Sequence, residues 1–382
     1  MIVNIHDLRR SARRRLPRFL FDYVDGGAFD EKTLRWNEEA FDRWRFRHRV
    51  LRDMSERRLG VTVLGAEQRL PLALGPTGFA GLLWPRGEVM AARAAQAAGI
   101  PFCLSTASIC SIEDVRAATA APFWFQLYVT KDRGITQELV ARADAAGCSA
   151  LMLTVDIAMR ANRERDVRNR FATRNAVGLA NWVDIATRLR WALPMLRAPK
   201  AQFGNLASID RAGRGITGQG EFVARNMDFS LNWKDLDWLR GAWKRKLIVK
   251  GVVDAEDAAR VADAGADALV VSNHGGRQLD SDIPTIAALP AIVEKVGGRL
   301  DVLFDSGIRR GQSVVKAMAL GAKACLVGRA FLYGLATAGQ PGVARAIGIL
   351  QEEIDSTIAH IGINDVRDLA KRRDEFLTSA SS

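Results

Sequence analysis

The segment of residues 270–280 brings together side chains that could carry out chemistry on a small carboxylic acid. A short apolar run typical of a buried strand leads into Ser272 and His274, and two glycines separate His274 from Arg277. Because glycine lets a backbone turn tightly and approach a ligand closely, we expect His274 and Arg277 to be presented together at the end of that strand. A histidine exchanges a proton near neutral pH, and a guanidinium binds a carboxylate through paired hydrogen bonds. Taken alone, His274 is more simply explained as a core histidine at a strand-to-loop turn, so the elements around it must decide.

Eight short apolar runs recur from residue 71 onward, and each is followed by small or polar residues and then by a segment with helical spacing. The runs are Leu72–Gly75, Phe102–Ser105, Phe123–Tyr128, Ala150–Asp156, Leu247–Gly251, Leu269–Asn273, Val302–Ser306 and Ala324–Gly328. Alternation of strand and helix is typical of an α/β protein with a parallel sheet, and eight such units predict a closed (β/α)8 TIM barrel. An open, doubly wound sheet is the alternative that this pattern leaves open.

Polar residues and glycines follow the apolar runs where the strands are predicted to end. In a barrel of this kind the carboxyl ends of the strands face one common site, so these residues are expected to form it. They are Pro76, Thr77, Gly78, Ser105, Gln126, Tyr128, Thr154, Asp156, Lys250, Ser272, His274, Asp305, Gly307, Gly328 and Arg329. Gly307 with Arg309, and Gly328 with Arg329, come after the last two strands, where such barrels commonly bind phosphate. Single members such as Thr154 and Ser272 could also be simple strand caps.

Two segments lie outside the barrel pattern. Residues 1–60 form an N-terminal preamble, helical over 6–23, which is expected to pack on the barrel of residues 61–382. The fourth gap between strands is much longer than the others and holds an insert at about residues 174–228. A helix predicted over 182–197 has one apolar face, formed by Trp182, Ile185, Ala186, Leu189 and Leu193, and several arginines elsewhere. Such a helix either lies on an anionic membrane surface or packs on protein as a lid or subunit contact. The sequence also predicts a mobile loop over residues 211–225.

Composition narrows the functional classes without choosing among them. The 382 residues include 55 Lys and Arg against 43 Asp and Glu, a formal charge of +12 that favours acidic partners such as anionic lipid, nucleic acid or a phosphorylated cofactor. The alternation of basic and aromatic residues over 43–50 fits a half-buried strand better than a nucleic-acid site. The four cysteines lie in apolar surroundings without ligand spacing, so we expect buried thiols in a reducing cytosol and no metal site. The first residues lack the apolar core of a secretion signal, and no segment is expected to span a bilayer.

Seven motifs together resemble one known family. They are Phe21-Asp22-Tyr23 with Gly26-Gly27-Ala28, Phe125-Gln126-Leu127-Tyr128, Thr154-Val155-Asp156, Arg163-Glu164-Arg165-Asp166, the string from Ser272 to Asp280, Asp305-Ser306-Gly307-Ile308-Arg309, and Gly328-Arg329. They are similar to the motifs of the FMN-dependent L-2-hydroxy acid dehydrogenases and oxidases, and the match covers nearly the whole chain. The string Ser-Asn-His-Gly-Gly-Arg-Gln-Leu-Asp is highly specific.

The resemblance implies FMN as cofactor and a role for each site residue. His274 would take the proton from the substrate's C2 or hydroxyl, and Asp156 would orient His274 and stabilise its charged form. Arg163 and Arg277 would bind the substrate carboxylate, while Tyr23 and Tyr128 would hydrogen-bond the carboxylate and the hydroxyl or developing carbonyl. Lys250 would sit at the N1/O2 edge of the flavin, where negative charge accumulates on reduction. The other implied FMN contacts are Pro76, Thr77, Gly78, Ser105, Gln126, Thr154 and Ser272 along the ring and ribityl chain, and Asp305, Gly307, Arg309, Gly328 and Arg329 at the ribityl and phosphate end.

Three positions refine what the resemblance implies. Ala161 stands where the family usually has glycine, and its methyl group could shift the loop that carries Arg163. Gly78 resembles the dehydrogenase members, since oxidases tend to have alanine there, and residues 104–108 around Ala107 resemble mandelate dehydrogenase. We therefore expect oxidation of an L-2-hydroxy acid to the 2-oxo acid, mandelate-like as first choice and lactate as second, with electrons passed to a quinone or other carrier.

Two alternatives remain at this point. One is a soluble 2-hydroxy acid oxidase that produces hydrogen peroxide, and the remote one is a non-catalytic basic barrel that binds a membrane or nucleic acid. Under the preferred hypothesis the protein is a cytoplasmic homotetramer, peripheral on the inner face of the cell membrane, with an anionic membrane surface and no nucleic acid among its partners.

Overall fold

The N-terminal segment is helical, but it forms two helices where the sequence predicted one. The computed structural model describes residues 1–171, 179–199, 201–209, 213 and 215–380. In it, α1 (Ile5–Arg15) and α2 (Arg18–Asp25) are separated at Leu16, which is extended with φ −77° and ψ 147°. The residue before a proline is pushed out of the helical region, and Pro17 follows Leu16 directly. The prediction of a single helix over 6–23 is therefore wrong.

Short elements lead from these helices into the barrel. They are α3 (Lys32–Glu39), β1 (Trp44–Phe46), β2 (Val61–Val63) and β3 (Ala66–Gln68), with β2 and β3 paired antiparallel. The strand β1 covers only part of the predicted 43–50 strand. It pairs with the strand β12 (Leu377–Ser379), so the segment that leads into the barrel and the C-terminal segment form a small sheet.

The centre of the molecule is a sheet of eight parallel strands. The strands are β4 (Leu72–Leu74), β5 (Cys103–Ser105), β6 (Trp124–Leu127), β7 (Ala150–Thr154), β8 (Lys246–Val252), β9 (Ala268–Val271), β10 (Asp301–Phe304) and β11 (Ala324–Val327). Their order is β4-β11-β10-β9-β8-β7-β6-β5, and a parallel bridge between Leu74 and Phe102 closes the gap between β4 and β5. The eight apolar runs thus predicted the strands, and the expected (β/α)8 barrel is confirmed.

The remaining helices surround this sheet or form the insert. They are α4 (Ala80–Leu83), α5 (Gly87–Ala98), α6 (Ile112–Ala118), α7 (Arg133–Ala145), α8 (Glu164–Arg168), α9 (Leu179–Thr187), α10 (Leu189–Leu196), α11 (Gly215–Asn226), α12 (Trp233–Ala242), α13 (Ala255–Asp263), α14 (Thr285–Val296), α15 (Gly311–Ala319), α16 (Arg329–Ile361) and α17 (Arg373–Phe376). The long α16 is kinked at Ala338 and Gly339. Helix α1 packs on α16 and buries Ile5, Leu8 and Ala12.

The insert after β7 differs from its predicted structure in two places. The predicted helix over 182–197 is two helices, α9 and α10, separated at Arg188. Arg188 pairs with Asp184 at 3.3 Å and donates to the carbonyl oxygen of Arg14 at 2.7 Å, so docking on α1 fixes the break. The predicted mobile loop over 211–225 is mostly helix α11, although residues 210–212 and 214 lie outside the described part. Burial of Gln219 and Phe222 stabilises α11 despite the low helix propensity of its glycines.

Candidate active site

The carboxyl ends of the barrel strands open into a cavity of about 750 Å³. Most residues predicted for the site line it: Tyr23, Pro76, Thr77, Gly78, Ser105, Tyr128, Thr154, Arg163, Lys250, His274, Arg277, Asp305, Gly307, Arg309, Gly328 and Arg329. Gln126, Asp156 and Ser272 lie behind this layer, and each makes a hydrogen bond to a lining residue. The structure therefore brings the whole predicted set together.

His274 and Asp156 form a buried hydrogen-bonded pair, with Nδ1 of His274 2.9 Å from Oδ1 of Asp156. Burial lowers the pKa of His274 below its ordinary value of 6.5, although Asp156 acts in the opposite direction. Burial alone would raise the pKa of Asp156, but the charges of His274 and Lys250 outweigh it and lower that pKa. The ring is therefore neutral and the carboxylate is charged at neutral pH. With the Nδ1 proton donated to Asp156, Nε2 is the nitrogen left to accept a proton.

The backbone holds His274 in an uncommon conformation, with φ +57°. Few residues other than glycine adopt this left-handed region, and those that do are often found at functional sites. The amide of His274 donates to Oγ of Ser272 at 3.1 Å, and the following amide, that of Gly275, donates to Oγ of Ser306 at 3.0 Å. These bonds fix the turn after β9 that carries the histidine.

Two arginines meet on the Tyr23 ring at one side of the cavity. The guanidinium carbons of Arg277 and Arg163 lie 4.9 Å and 5.5 Å from the ring centroid of Tyr23. Nη1 of Arg277 donates to the carbonyl oxygens of Tyr23 and Gly26, which fixes the direction of the guanidinium. Burial, together with the charge of Arg163, lowers the pKa of Arg277. Two neighbouring guanidinium groups favour an anion between them, and a carboxylate has the matching geometry.

Tyr128 lies near this cationic pair and near Asp156. Burial, reinforced by the charge of Asp156, raises the pKa of Tyr128 above its ordinary value of 10.0. Its hydroxyl is therefore protonated throughout the neutral range and can donate a hydrogen bond to an oxygen of a bound acid.

The opposite wall fits a flavin. Nζ of the buried Lys250 donates to Oγ of Ser272 at 2.8 Å and lies 3.2 Å from Oδ2 of Asp305. Burial alone would lower the pKa of Lys250, but Asp305 and Asp156 raise it, so the ammonium stays charged and could stabilise negative charge on a bound ring. Oγ of Ser105 donates to Oε1 of Gln126 at 2.9 Å.

One buried polar atom on this wall points to a ligand. Nε2 of Gln126 is buried and has no hydrogen-bond partner among the described residues. Buried amide donors are normally paired, and an acceptor on a bound ring would satisfy this one. The donor set of Gln126, Lys250 and Ser272, with Ser105 holding the Gln126 amide, therefore fits a flavin ring rich in carbonyl oxygens and ring nitrogens.

The predicted phosphate end has a more complex structure than the sequence suggested. A methyl group on Gly307, which has φ +83°, would clash with the carbonyl oxygen of Asn37, so contact with α3 also requires this glycine. Arg329 donates to the carbonyl oxygens of Val24, Gly26 and Gly275. Burial, with neighbouring arginines, lowers the pKa of Arg329 to about 10, so it remains a cation at the cavity wall. Two of these hydrogen bonds from Arg329, to Val24 and Gly26, thus hold the N-terminal segment in place.

The structure adds residues that the sequence did not single out. The carboxylate of Asp25, at the end of α2, accepts three hydrogen bonds. They come from Nε of Arg9 at 2.5 Å, Nη1 of Arg165 at 3.2 Å and the hydroxyl of Tyr333 at 2.8 Å. Burial alone would raise the pKa of Asp25, but Arg9 and Tyr333 lower it to about 2. This cluster holds the end of the helix that carries Tyr23. No local signal marks it, because its members are far apart in the chain.

An aromatic cluster forms the apolar part of the cavity wall. Phe171 stacks on Tyr23 with ring centroids 4.6 Å apart, and the ring centroid of Phe79 lies 5.2 Å from that of Tyr23, 5.5 Å from that of Phe171 and 5.0 Å from that of Phe203. Phe203 comes from the insert, so residues distant in sequence build this wall. Such a surface favours a substrate with an apolar or aryl substituent.

The helices α9 and α10 expose apolar side chains on the outside of the molecule. Trp182, Leu189 and Leu193 from the predicted face are more than half exposed, whereas Ile185 is partly buried. On the other side, Nε1 of Trp191 donates to the carbonyl oxygen of Leu82 at 2.8 Å and attaches α10 to the barrel. Among the described residues, no helix is both long and apolar enough to cross a membrane.

Comparisons with known proteins agree with this geometry. The sequence model of the FMN-dependent dehydrogenase family matches residues 12–375. The L-lactate dehydrogenase of Caulobacter vibrioides is 46% identical over 361 residues, 94% of each chain. The (S)-mandelate dehydrogenase of Pseudomonas putida is 44% identical over 369 residues, 97% of this chain and 93% of that one. A crystal structure of the monotopic membrane protein (S)-mandelate dehydrogenase superposes with a TM-score of 0.95 at 44% identity. The match covers 99% of this chain and 100% of the other.

Proposed function

Because the chain belongs to the family of FMN-dependent dehydrogenases, we propose that it oxidises an L-2-hydroxy acid to the 2-oxo acid with His274 as the base. The observation that carries this proposal is the contact between His274 and Asp156 beside the two arginines at Tyr23. A neutral imidazole paired with a carboxylate accepts a proton, and the neighbouring cations hold the acid whose proton is removed.

His274 receives the substrate proton at Nε2, and the charge of Asp156 stabilises the imidazolium that results. The lowered pKa of free His274 keeps it ready to accept a proton at neutral pH. The hydrogen bond at Nδ1 holds the ring in one orientation, so its other nitrogen faces the bound acid. These two residues thus take up one of the two hydrogens that the oxidation removes from the acid, and the other would leave with the electron pair to bound FMN.

Arg277 and Arg163 bind the substrate carboxylate, and the hydroxyl groups of Tyr23 and Tyr128 donate to its oxygens or to the developing carbonyl. The cluster of positive charge offsets the charge of the acid and orients it towards His274. Burial of Arg277 strengthens this interaction, because a dry site screens the charges less than water does.

When bound, FMN accepts the two electrons that leave the substrate. We propose that Lys250, Ser272, Gln126 and Ser105 hold its ring, with Pro76, Thr77, Gly78 and Thr154 beside them. Asp305, Gly307, Arg309, Gly328 and Arg329 hold the ribityl chain and the phosphate. The unpartnered Nε2 of Gln126 and the charged Lys250 support this assignment.

The proposed substrate is a mandelate-like acid, with lactate as the second choice. The aromatic cluster of Phe79, Phe171 and Phe203 supports an aryl substituent, and Ala107 at the cavity wall leaves room for one. Lactate carries only a methyl group, which would leave part of that apolar surface uncovered.

Anaerobic mixing of the purified protein with L-mandelate, L-lactate and glycolate, one at a time, tests the proposal. We expect bleaching of the flavin absorbance to be fastest with L-mandelate. His274→Asn should bind FMN and show no bleaching on the same timescale. A yellow protein that none of these acids bleaches would overturn the substrate assignment, and equal rates in His274→Asn would overturn the role of the histidine.

The electron acceptor is proposed to be a quinone or another carrier. Gly78 lines the cavity, and a glycine at this position resembles the dehydrogenase members of the family, whereas oxidases tend to have alanine there. This residue therefore supports a dehydrogenase. The competing function is an oxidase that forms hydrogen peroxide. After anaerobic reduction, slow reoxidation by air and fast reoxidation by a soluble quinone would support the dehydrogenase, whereas the reverse order would support the oxidase.

We also propose that α9 and α10 attach the protein peripherally to the inner face of an anionic membrane. Leu189 is 60% exposed and Leu193 is 51% exposed, and Arg190 and Arg197 are exposed on the same helix and at its end. Exposed apolar side chains beside arginines fit an anionic interface. The monotopic (S)-mandelate dehydrogenase, which superposes along the whole chain, supports the same attachment.

Co-sedimentation with phosphatidylglycerol-containing vesicles tests this attachment. The double substitution of Leu189 and Leu193 by Glu should release the protein while leaving dye reduction intact, and unchanged sedimentation would refute the proposal. A deletion of residues 178–212 is unsuitable, because it would remove the buried Phe203 and Asn205. Light scattering of the same preparation tests the homotetramer that the family resemblance supports.

A further inference from the structure

A short piece of the insert returns to the active site. The 3-10 turn of Gly204–Leu206 and the preceding Phe203 are buried against the loop that follows β5. The amide of Phe203 donates to Oε1 of the buried Gln219 at 2.5 Å, which ties the turn to α11. The Phe203 side chain lines the cavity and contacts Phe79 with ring centroids 5.0 Å apart. The insert thus contributes both an outer surface and an inner one.

Asn205 makes the closest link between the insert and the loop of residues 105–112. It is fully buried, with 0% exposure. Its Nδ2 donates to the carbonyl oxygen of Ser105 at 3.1 Å and to Oγ of Ser108 at 3.0 Å, with the carbonyl oxygen of Thr106 at 3.4 Å. Its Oδ1 accepts the amide of Ile112 at 2.9 Å. A single amide therefore connects both ends of the loop and has all its hydrogen-bonding atoms in use.

The residues held in this way face the cavity. Ser105 donates to Gln126 on the proposed flavin wall. Ala107 lines the cavity, and its carbonyl oxygen accepts the amide of Phe79 at 3.1 Å. A displacement of the loop would therefore move Ala107 together with the aromatic wall, while His274 and Arg277, on the far side of the barrel, would keep their own hydrogen bonds.

We propose that Asn205 is a positioning residue that sets the substrate selectivity of the site by holding Ala107 and Phe79 in place. This inference rests on the proposed oxidation of a 2-hydroxy acid and adds a determinant of which acid is preferred. An aryl substituent reaches the wall that Asn205 supports, whereas the methyl group of lactate does not need it. The selectivity for aryl over methyl acids therefore depends on a residue of the insert that touches neither substrate nor flavin.

The test compares Asn205→Ala with wild type under anaerobic conditions and saturating FMN, using L-mandelate and L-lactate. We expect the ratio of kcat/KM for mandelate to that for lactate to fall roughly three- to tenfold, the change that loss of one or two net hydrogen bonds produces. The change should appear mainly in KM for mandelate, with the lactate parameters nearly constant. An equal loss for both acids would indicate a merely structural role and would overturn the proposal.

Two further variants keep the test decisive if Asn205→Ala folds poorly. Ser108→Ala removes one acceptor of the same amide and should shift the ratio in the same direction by a smaller factor. Ser208→Ala is the matched control, because Ser208 lies three residues further on, is exposed and hydrogen-bonds Glu138 and Arg142. Arg142 also donates to the carbonyl oxygen of Asn205, a bond that does not involve the Ser208 hydroxyl. A ratio unchanged in Ser108→Ala, or changed as much in Ser208→Ala, contradicts the proposed role.

Hydrogen exchange separates this inference from the proposed function. In the absence of any substrate, the amides of residues 105–112 should exchange faster in Asn205→Ala than in wild type and at the wild-type rate in Ser208→Ala. Unchanged exchange would overturn the anchoring role even in a protein that oxidises both acids. If neither acid bleaches the wild-type flavin, the proposed function fails, and with it the selectivity assigned to Asn205, while the exchange rates still report the anchor.

Discussion

Replacement of Asp156 by Asn removes the charge that faces the imidazolium while keeping the size of the side chain. The carboxylate lies against the ring, with 2.9 Å between Nδ1 of His274 and Oδ1 of Asp156. Unit charges about 4 Å apart attract by about 4 kcal/mol at an effective dielectric constant of about 20. Proton transfer creates the positive charge on His274, so loss of this attraction should slow the step on the order of a thousandfold. Substrate binding should change much less, because the carboxylate is bound by Arg163 and Arg277.

Anaerobic stopped-flow measurement of flavin bleaching by L-mandelate gives the rate directly, and the pH profile adds a second signature. Asp156 raises the pKa of His274, so in Asp156→Asn the acid limb of the profile should move to lower pH. Asp282→Asn is the control, because the carboxylate of Asp282 accepts the amide of Ile283 and makes no hydrogen bond to His274 in the described structure. A bleaching rate in Asp156→Asn within threefold of wild type would refute the assigned role.

Three further predictions follow from buried ionisable groups. Burial lowers the pKa of His274 below its ordinary value of 6.5, so kcat/KM should fall on the acid side as lower pH protonates the ring, with the midpoint of that fall below pH 6.5; a profile that falls on the alkaline side instead would contradict this. Arg277→Lys keeps the charge but cannot both bond the carbonyl oxygens of Tyr23 and Gly26 and chelate a carboxylate, so KM should rise roughly 10- to 100-fold in steady-state kinetics. The pKa of Asp25 is lowered from 3.8 to about 2, a difference worth about 2 kcal/mol of stability that is complete above pH 3.8 and lost as pH falls through about 2. Asp25→Asn should therefore lower the free energy of unfolding in urea at pH 7, and an unchanged midpoint would contradict the importance of this cluster.

The insert after β7 contributes to both proposed properties, membrane attachment and substrate selectivity. Its outer helices expose leucines and arginines, while its turn at Phe203 and Asn205 completes the wall of the cavity. Variants on the outer face, such as those at Leu189 and Leu193, leave that turn intact. Membrane attachment and substrate selectivity can therefore be tested independently on the same segment.

The sequence by itself determined the barrel and which polar residues lie together at the carboxyl ends of its strands. Each strand is encoded locally by a short apolar run, and parallel strands joined by helices place their carboxyl ends on one side of the sheet. Polar residues at those ends, such as Lys250 near the end of β8 and His274 after β9, therefore had to meet in one place, and the structure brings them together in the cavity. Prediction worked here because the information needed was contained in each repeat.

The tertiary structure alone decided the features that depend on distant contacts. Asn205 and Phe203 belong to a segment without strand or helix periodicity, and only packing brings them to the loop after β5. Helix α11 forms in a glycine-containing stretch because Gln219 and Phe222 are buried by other elements. The separation of α9 from α10 likewise depends on the contact of Arg188 with α1. Local propensity is small compared with the free energy of burial and of pairing buried polar groups, so these positions are set by the folded whole.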